Sequence, residues 1–591
     1  MTAAETPQPT PTPPASYRPL RIWIPVILIL LMVVARYFMT WFPEMPMVWM
    51  VGSFVPPLLG LAIIGWWLTL SRASWLERGI GLLGIILIFA SVTAVMDATM
   101  LGPPVIVLML PTTMAAFAVG LIVQGHVLSA GRTWIALLLA LVVASGSAML
   151  KNDGATGNFS FGFSWRWAPT PEEEFLAQRT ATTNVVRRPT TESFQQPEWP
   201  GFRGPQRDGR QTGAVFSADW NSTPPRPVWR IKLGPAWSSF AVADSFLVTQ
   251  EQRGDFEAIV CYDADNGQEV WARELKSRFF DALGGLGPRA TPTIAEGRVY
   301  ALGGAGVLAC VDASEGNLLW QVNLGDLTQE PPPMWGYSCS PLVHNGLVIV
   351  HAAGAKDRGI IAFDAASGEV RWSIPADKQS YSSLQLTRFF DSEQVVFLGS
   401  DGATFLDPAT GKTLHQHKHE TAGYRAIQPA VIDAQRLMLT SEIGGARVIE
   451  LTHSDDGLSS KEVWTTRNLK PDFNDFVVHQ GFAYGFDGAV FACVDLKDGS
   501  RRWKQGRYGK GQVLLLADSN LLLIIAEESG ELVLLEANPE EHVERGSVQA
   551  LTGKTWNHPV LVGRRLYLRN ASEAVCYELS LANPESAPPS E

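Results

Sequence analysis

The sequence is short of cysteine, of clustered basic residues and, over its first quarter, of charge altogether. Five cysteines in 591 residues cannot build the dense disulfide framework of a small secreted domain. A net charge of −11 with no basic tract argues against a nucleic-acid partner, because phosphate binding needs clustered Lys and Arg. G-x-S-x-G, H-E-x-x-H, G-x-x-x-x-G-K-[ST] and C-x-x-C are all missing, so hydrolase, zinc, NTPase and thiol-redox chemistry have no motif to rest on. Between Ile22 and Leu150 the formal charges are Arg36, Glu44, Arg72, Glu77, Arg78, Asp97 and Arg132. A mean hydropathy of +0.06 alongside 18% charged residues therefore reflects segregation: an apolar first quarter and a polar remainder.

What is present in that quarter is five apolar runs, about Ile22 to Phe42, Met47 to Leu70, Gly79 to Met96, Val105 to Val123 and Thr133 to Leu150. Each approaches the roughly 20 helical residues that cross a bilayer, so a bundle of five transmembrane helices over 22–150 is expected. The first run is long, and no small-residue cleavage site follows it, so it reads as a retained helix. Arg18, Arg21, Arg72, Arg78 and Arg132 fall on one side of this arrangement. By the distribution of basic residues that side is cytoplasmic, and everything after Leu150 is delivered to the other face. Pro56-Pro57 and Pro111 are expected to kink or interrupt the second and fourth helices. Asp97 and Arg36 near the outer boundary are candidates for a quinone or ion site, against the plainer reading that both reach the interface.

Residues 1–21 and 582–591 read as disordered tails, and 151–198 reads as a connector without sustained periodicity. Within the connector Thr170-Pro171-Glu172-Glu173 predicts one short helix, with a hydroxyl N-cap, proline at the first turn and a glutamate at N3. Then comes Trp199-Pro200-Gly201-Phe202-Arg203-Gly204-Pro205-Gln206-Arg207-Asp208-Gly209, a cluster of turn chemistry and aromatic plugs.

Past residue 225 a unit recurs: apolar residues, an acid, a glycine four residues on, an aromatic four more. Its fullest copies are Asp263, Gly267, Trp271; Asp312, Gly316, Trp320; Asp364, Gly368, Trp372; and Asp495, Gly499, Trp503. Asp407, Gly411, His415 keeps the spacing without tryptophan, and Glu450, Glu536 and Glu578 mark weaker copies. The acid and glycine make the turn between two strands, and the aromatic opens the second strand. A tryptophan recurring at a fixed turn offset is a structural wedge between sheets. The eight acids stand 41 to 52 residues apart, the period of a β-propeller blade. The last unit lacks its Trp strand, and Pro227-Val228-Trp229-Arg230-Ile231-Lys232-Leu233 supplies an orphan one. Joining them closes an all-β propeller of eight blades over 199–581. Cys261, Cys310, Cys493 and Cys576 each precede a marker acid by two residues, so they share one buried strand position and are too far apart to pair.

Residues just before each innermost strand converge on one rim. The candidate binding set there is Trp237, Arg289, Tyr381, Arg425, Gln428, Asn474, Lys510, Trp556, Asn557 and His558. Arg289, Arg425 and Lys510 suit an anion, Trp237 and Trp556 a planar group, and Asn474, Asp475 and Asn557 a Ca²⁺ ion. Small residues such as Ser and Thr are expected there merely to let strands crowd. The run His415-Gln416-His417-Lys418-His419 reads either as a metal cluster or as a solvated strand.

These features resemble the PQQ-binding-like β-propeller repeat proteins of bacteria. The resemblance covers about Trp199 to Leu581 and rests on Trp-Pro-Gly-Phe-Arg-Gly-Pro, the Asp-Ala-x-x-Gly-x-x-x-Trp units and Gly506-Arg507-Tyr508-Gly509-Lys510-Gly511. Five helices before such a propeller look like the layout of membrane-bound quinoprotein glucose dehydrogenase. That likeness implies a periplasmic domain with pyrroloquinoline quinone (PQQ), Ca²⁺ and electron transfer to membrane quinone. The same repeat occurs in the lipoprotein propeller of outer-membrane assembly, which binds protein without a cofactor. The dehydrogenases' Trp-Asp-x-Asp stretch is missing here, so no catalytic aspartate carries over; Asp475 is the strongest remaining candidate. Two readings follow. The favoured one is an inner-membrane-anchored periplasmic propeller that binds a ligand or protein partner. The alternative is a PQQ-dependent dehydrogenase of alcohols or sugars.

Overall fold

The computed structural model describes residues 19–41, 48–125, 131–157, 160–179, 187–376, 380–419, 427–455 and 457–582. The terminal tails therefore lie almost wholly outside the described residues. The chain divides into two compact units, Met1–Ala168 and Pro169–Glu591.

The first unit holds helices α1 (Trp23–Trp41), α2 (Val48–Thr69), α3 (Trp75–Val95), α4 (Leu110–Val123) and α5 (Gly131–Ser147). Three stretches, Val51–Thr69, Trp75–Val95 and Val105–Val123, are long and apolar enough to cross a membrane; Trp23–Phe38 and Gly131–Ser147 are shorter apolar helices. Among the described residues three of the five expected spans therefore meet the length and apolarity of a crossing helix, and the other two apolar runs form shorter helices. The fifth run ends early because Leu150 opens a strand instead of closing a helix. α2 continues through Pro56 and Pro57. The fourth run is interrupted as expected: a π-helical turn over Val105–Met109 precedes Pro111, and the Thr112 hydroxyl donates to the Leu108 carbonyl at 2.7 Å. A neighbouring side chain thereby takes up backbone polarity that the irregular turn exposes.

Close packing relies on small residues. A Cβ on Gly120 would lie 2.6 Å from the Ala136 Cα, and Ala136, Ala140 and Ala144 are fully buried along one stripe of α5, as in helix pairs that approach closely in lipid. Arg132, expected in a loop, is a helix residue. It lies within α5, fully buried, and its guanidinium donates to both Glu77 oxygens at 2.9 and 3.1 Å. Glu77 also closes a capping box with Ser74 at the start of α3. Asp97 caps a short turn, accepting from the Thr99 amide and hydroxyl.

The stretch after α5 is not featureless. Leu150–Ala155 and Phe161–Trp165 pair as an antiparallel hairpin. The strand signal in the sequence is Phe161, Phe163, Trp165 and Trp167, aromatic at every second position amid polar residues.

In the second unit, the predicted helix forms as α6 (Pro171–Arg179) with a reciprocal cap: the Glu173 amide donates to the Thr170 hydroxyl and the Thr170 amide to Glu173. Glu172 clamps it, taking both guanidinium nitrogens of Arg278 at 3.0 Å.

Eight antiparallel sheets follow. Numbered by their innermost strands, the blades begin at Ala241, Thr293, Leu342, Gln385, Ala430, Val477, Gln512 and Val560. The eighth is completed by Arg226–Lys232, which pairs with Glu573–Glu578; strand closure by both ends is as expected. The repeat tryptophans do what their spacing predicts. The indole N–H of Trp229, Trp271, Trp320 and Trp503 donates across to a carbonyl of the following blade, at Ala264, Ala313, Ala365 and Asn538. The repeat glycine has two reasons to be glycine. Gly316 has φ +70°, and a Cβ there would stand 2.5 Å from the Trp271 ring, so the previous blade's indole lies directly on the turn. Cys261, Cys310, Cys493 and Cys576 are all buried free thiols. They face Trp271, Trp320, Trp503 and Trp229 across the strand pair, where a small apolar side chain makes room for the indole.

Candidate functional site

Residues two positions before the innermost strands of successive blades, joined by Gln512 at the start of its strand, form a hydrogen-bonded belt around the axis. The Ser239 amide donates to the Thr291 hydroxyl, the Thr291 amide to Ser340 and the Ser340 amide to Ser383, each at 3.0 Å. The Asp475 amide donates to Gln512 at 3.2 Å, and the Ser239 hydroxyl joins the ends by donating to the His558 carbonyl at 2.6 Å. Small hydroxyl side chains at these positions are therefore more than space-savers, since each satisfies a buried amide of its neighbour.

The entrance motif lies against this belt. Trp199 pairs with Val242 of blade 1, and the Pro200 carbonyl accepts from Ile294 of blade 2 at 2.8 Å. Arg207 donates to the Ser340 and Pro341 carbonyls of blade 3 at 3.0 and 3.1 Å. The Gln206 carbonyl accepts from Gln385 of blade 4 at 2.8 Å. Arg203 reaches blade 6, donating to the Phe476 carbonyl at 2.6 Å with its other nitrogen 3.4 Å from Asp475. Arg210–Gln211 adds a parallel strand to blade 7, and the Phe202 ring meets His558 of blade 8 edge-on at 4.9 Å. Residues 199–211 are thus a plug laid across the propeller axis. Its backbone is tightly bent: Arg203 and Arg207 have φ of 59° and 56°, and a Cβ on Gly209, at φ +70°, would press on the Arg203 guanidinium at 2.9 Å.

Sequence-predicted residues fall into two groups. Asp475, Gln428, Asn474 and Asn557 are buried in the belt region, with His558 partly buried beside them. The His558 imidazole bonds Asp475 at 2.8 Å. Burial alone would raise the Asp475 carboxyl, but the Arg203 charge and the His558 bond outweigh it and hold the group below the ordinary carboxylate value. Burial holds the His558 imidazole below its usual value against the pull of Asp475, and burial draws the Arg207 guanidinium down to about 10.

The rim group comprises Trp237, Trp556, Lys510, Arg289 and Tyr381. The Trp237 and Trp556 rings are 4.6 Å apart, with the Lys554 ammonium 5.0 and 4.4 Å from their centroids. Phe473 meets Trp556 edge-on at 4.8 Å. Lys510 is buried against Asp472 and lies 3.7 Å from Glu442; burial works against its ammonium, yet these carboxylates hold it above the ordinary lysine value. Arg289 pairs with Asp281 at 2.5 Å. The Tyr381 ring lies 5.1 Å from that of Trp335, tilted by 35°. Arg425 lies outside the described residues. Sequence reasoning missed Arg203, Arg207, Asp472, Glu442 and Lys554. Two arginines in a turn-rich motif are the sign of the plug in the sequence, and nothing local says that they reach the belt.

The donor set does not suit PQQ with Ca²⁺. Arg289, Lys510 and Arg203, the cations that would answer an anionic quinone, are each committed to a carboxylate of the protein. Of the expected calcium ligands, the Asn474 oxygen accepts from the Asp472 amide at 2.9 Å, and one Asp475 oxygen faces a guanidinium. Buried atoms left without a protein partner, among them Gln428 Oε1, Asn474 Nδ2 and Asn557 Oδ1, lie on three blades and include donor and acceptor alike, which suits ordered water. His415 and His417 both bond the Ser460 hydroxyl, at 2.7 and 2.8 Å, so they clip blade 4 to blade 5 where the repeat tryptophan is missing; among the described residues no cluster of three or more His, Cys, Asp or Glu could hold a metal.

A family model described as outer membrane protein assembly factor BamB matches residues 224–328 and 255–505. The chain is 36% identical over 307 residues to outer membrane protein assembly factor BamB of Moranella endobia, covering 48% of this chain and 73% of that protein. It is 30% identical over 125 residues to quinohemoprotein alcohol dehydrogenase ADH-IIG of Pseudomonas putida, but spans only 17% of that protein's length and 20% of its own. Among solved structures, BamB from Moraxella catarrhalis aligns at a TM-score of 0.43 and 15% identity, over 60% of this chain and 97% of that one.

Proposed function

Because this chain belongs to the BamB family of PQQ-repeat β-propellers, we propose that it is a membrane-anchored periplasmic scaffold whose propeller binds a protein partner. The observation that carries this reading is the internal commitment of the axial site. The plug touches seven of the eight blades, and Arg203, Arg289 and Lys510 are each paired with a carboxylate of the protein, which favours the outer surfaces of the blades as the place for a partner. Apolar helices joined to the propeller support anchoring. Arg21, Arg72 and Arg78 on one side of the helices favour a cytoplasmic N-terminus in the inner membrane.

Saturating PQQ with Ca²⁺ is expected to leave the melting temperature of the full chain unchanged. A rise would overturn the scaffold reading, because a ligand of the native state must stabilise it. The partly buried Trp237 and Trp556 pair under Lys554 favours a second reading, a planar ligand at the rim with dehydrogenase activity. The same measurement decides between them. For the partner, photo-crosslinking from the blade surface in cells is expected to yield one discrete adduct; only diffuse products would count against the proposal.

A further inference from the structure

Phe161, Phe163 and Trp165 alternate along one strand and so share a face of the hairpin; Trp167 follows in the same rhythm. Phe163 packs on the core of the helical unit, while Trp165 and Trp167 stack in parallel at 5.1 Å and 9° yet remain 54% and 69% exposed. Two indoles bound to each other and still in solvent are a costly exposure, since each can bury 150–250 Å² or so. The hairpin is fixed at one end of the helices. The Arg166 guanidinium donates to the Val95 carbonyl at the end of α3 at 2.8 Å. The Asn152 amide donates to the Thr99 hydroxyl at 3.0 Å. At the same helix ends Val95, whose carbonyl Arg166 binds, Leu101, two residues past Thr99, and Met149, whose carbonyl accepts from the Arg166 amide, are exposed apolar side chains. The opposite face is polar: Ser164 donates to Asp153.

We propose that this hairpin is an interfacial anchor that docks onto the headgroup layer of a phospholipid bilayer. Its amphipathic indoles suit that layer, where one edge is apolar and the other wet. Its inward-facing backbone groups pair strand to strand, and the hydrated headgroup layer can satisfy the outward-facing ones, which the hydrocarbon core could not. Its place beside these exposed apolar helix ends argues for lipid over a protein partner, which would have to seat on a face that the bilayer itself covers. The inference rests on the membrane reading of the helices and adds that the chain leaves the bilayer through a fixed, aromatic collar.

The test uses the full chain in vesicles of phosphatidylethanolamine and phosphatidylglycerol, with a nitroxide label at Gly162→Cys on the hairpin, Leu87→Cys on α3 or Glu541→Cys on the propeller. A Cβ at Gly162 meets only Asp153 at 3.6 Å and more distant atoms, and the native thiols are buried. Collision with oxygen relative to a water-soluble nickel chelate reads depth. The Gly162 label is expected between the lipid-like Leu87 label and the aqueous Glu541 label. Trp165→Ser with Trp167→Ser is expected to shift it towards the aqueous value while Leu87 stays unchanged. An aqueous Gly162 label beside a lipid-like Leu87 label overturns this inference alone, as does a double variant with no shift. An aqueous Leu87 label overturns the membrane reading and this inference with it.

Discussion

At the residue scale the plug arginines carry the most weight. Arg203 is 4% exposed and Asp475 1%, so neither charge has water to fall back on. Arg203→Ala is expected to cost about 3–5 kcal/mol, the loss typical when a buried pair is broken from one side. Arg203→Met combined with Asp475→Asn is expected to be less damaging, since no bare charge remains. Urea unfolding of the full chain in detergent measures both. His558 predicts a pH effect of definite sign. Its folded value lies below the ordinary 6.5, so the unfolded chain binds the proton first as pH falls. The stability contributed by the neutral ring is whole above that value and is lost progressively below it. His415, His417 and His542 shift the same way, so the readout is a difference: the melting temperature of the parent should fall more steeply between about pH 6.5 and 5 than that of His558→Gln. Equal slopes would remove His558 from the account. Asp475, held low, loses its contribution only at more acid pH, below the ordinary carboxylate value of 3.8.

At the element scale the repeat unit is where sequence and structure agree most fully. The acid, glycine and aromatic are local: Asp312 accepts from the Ser314 and Glu315 amides, Gly316 turns the chain, and Trp320 opens the next strand. A reader of the sequence therefore recovers turn, strand and blade together. What stays hidden is the second reason for glycine, because the indole lying on Gly316 comes from Trp271 in the preceding blade. Gly316→Ala is expected to destabilise by about 1–3 kcal/mol from overpacking and left-handed strain. Trp271→Phe should recover part of that loss by drawing the ring back. A thermodynamic cycle on the two changes tests whether they couple. The candidate site was legible only as composition. Belt positions could be picked out by their spacing from the innermost strands, but their partners lie a blade or more away, as with Asp475 and His558. Arg289 and Lys510 read as free cations because Asp281 and Asp472, which bind them, lie in neighbouring loops with no recurring position.

At the scale of the whole molecule, closure of the ring is the property that no single blade possesses. Blade 8 borrows Arg226–Lys232 from the start of the domain to cover Glu573–Glu578, and the pairing places Trp229 opposite Cys576 as in complete blades. That pairing was legible because the two incomplete units complement each other, whereas the helical unit was less so. Arg132 reads as a loop base in the sequence although it pairs with Glu77 from α3, a contact between residues 55 apart. The propeller is expected to fold without its helices, since its cores draw on residues from Phe175 onward. A chain covering 169–582 should be soluble and give one cooperative thermal transition. A chain covering 169–570 loses the last strand and leaves the strands of Trp229 and Tyr567 as open edges, each a template for further pairing. It should elute as aggregate on size exclusion and be cut rapidly by protease between blades. Equal behaviour of the two chains would mean that closure contributes nothing to stability, and that the eight blades hold together through their Trp contacts alone.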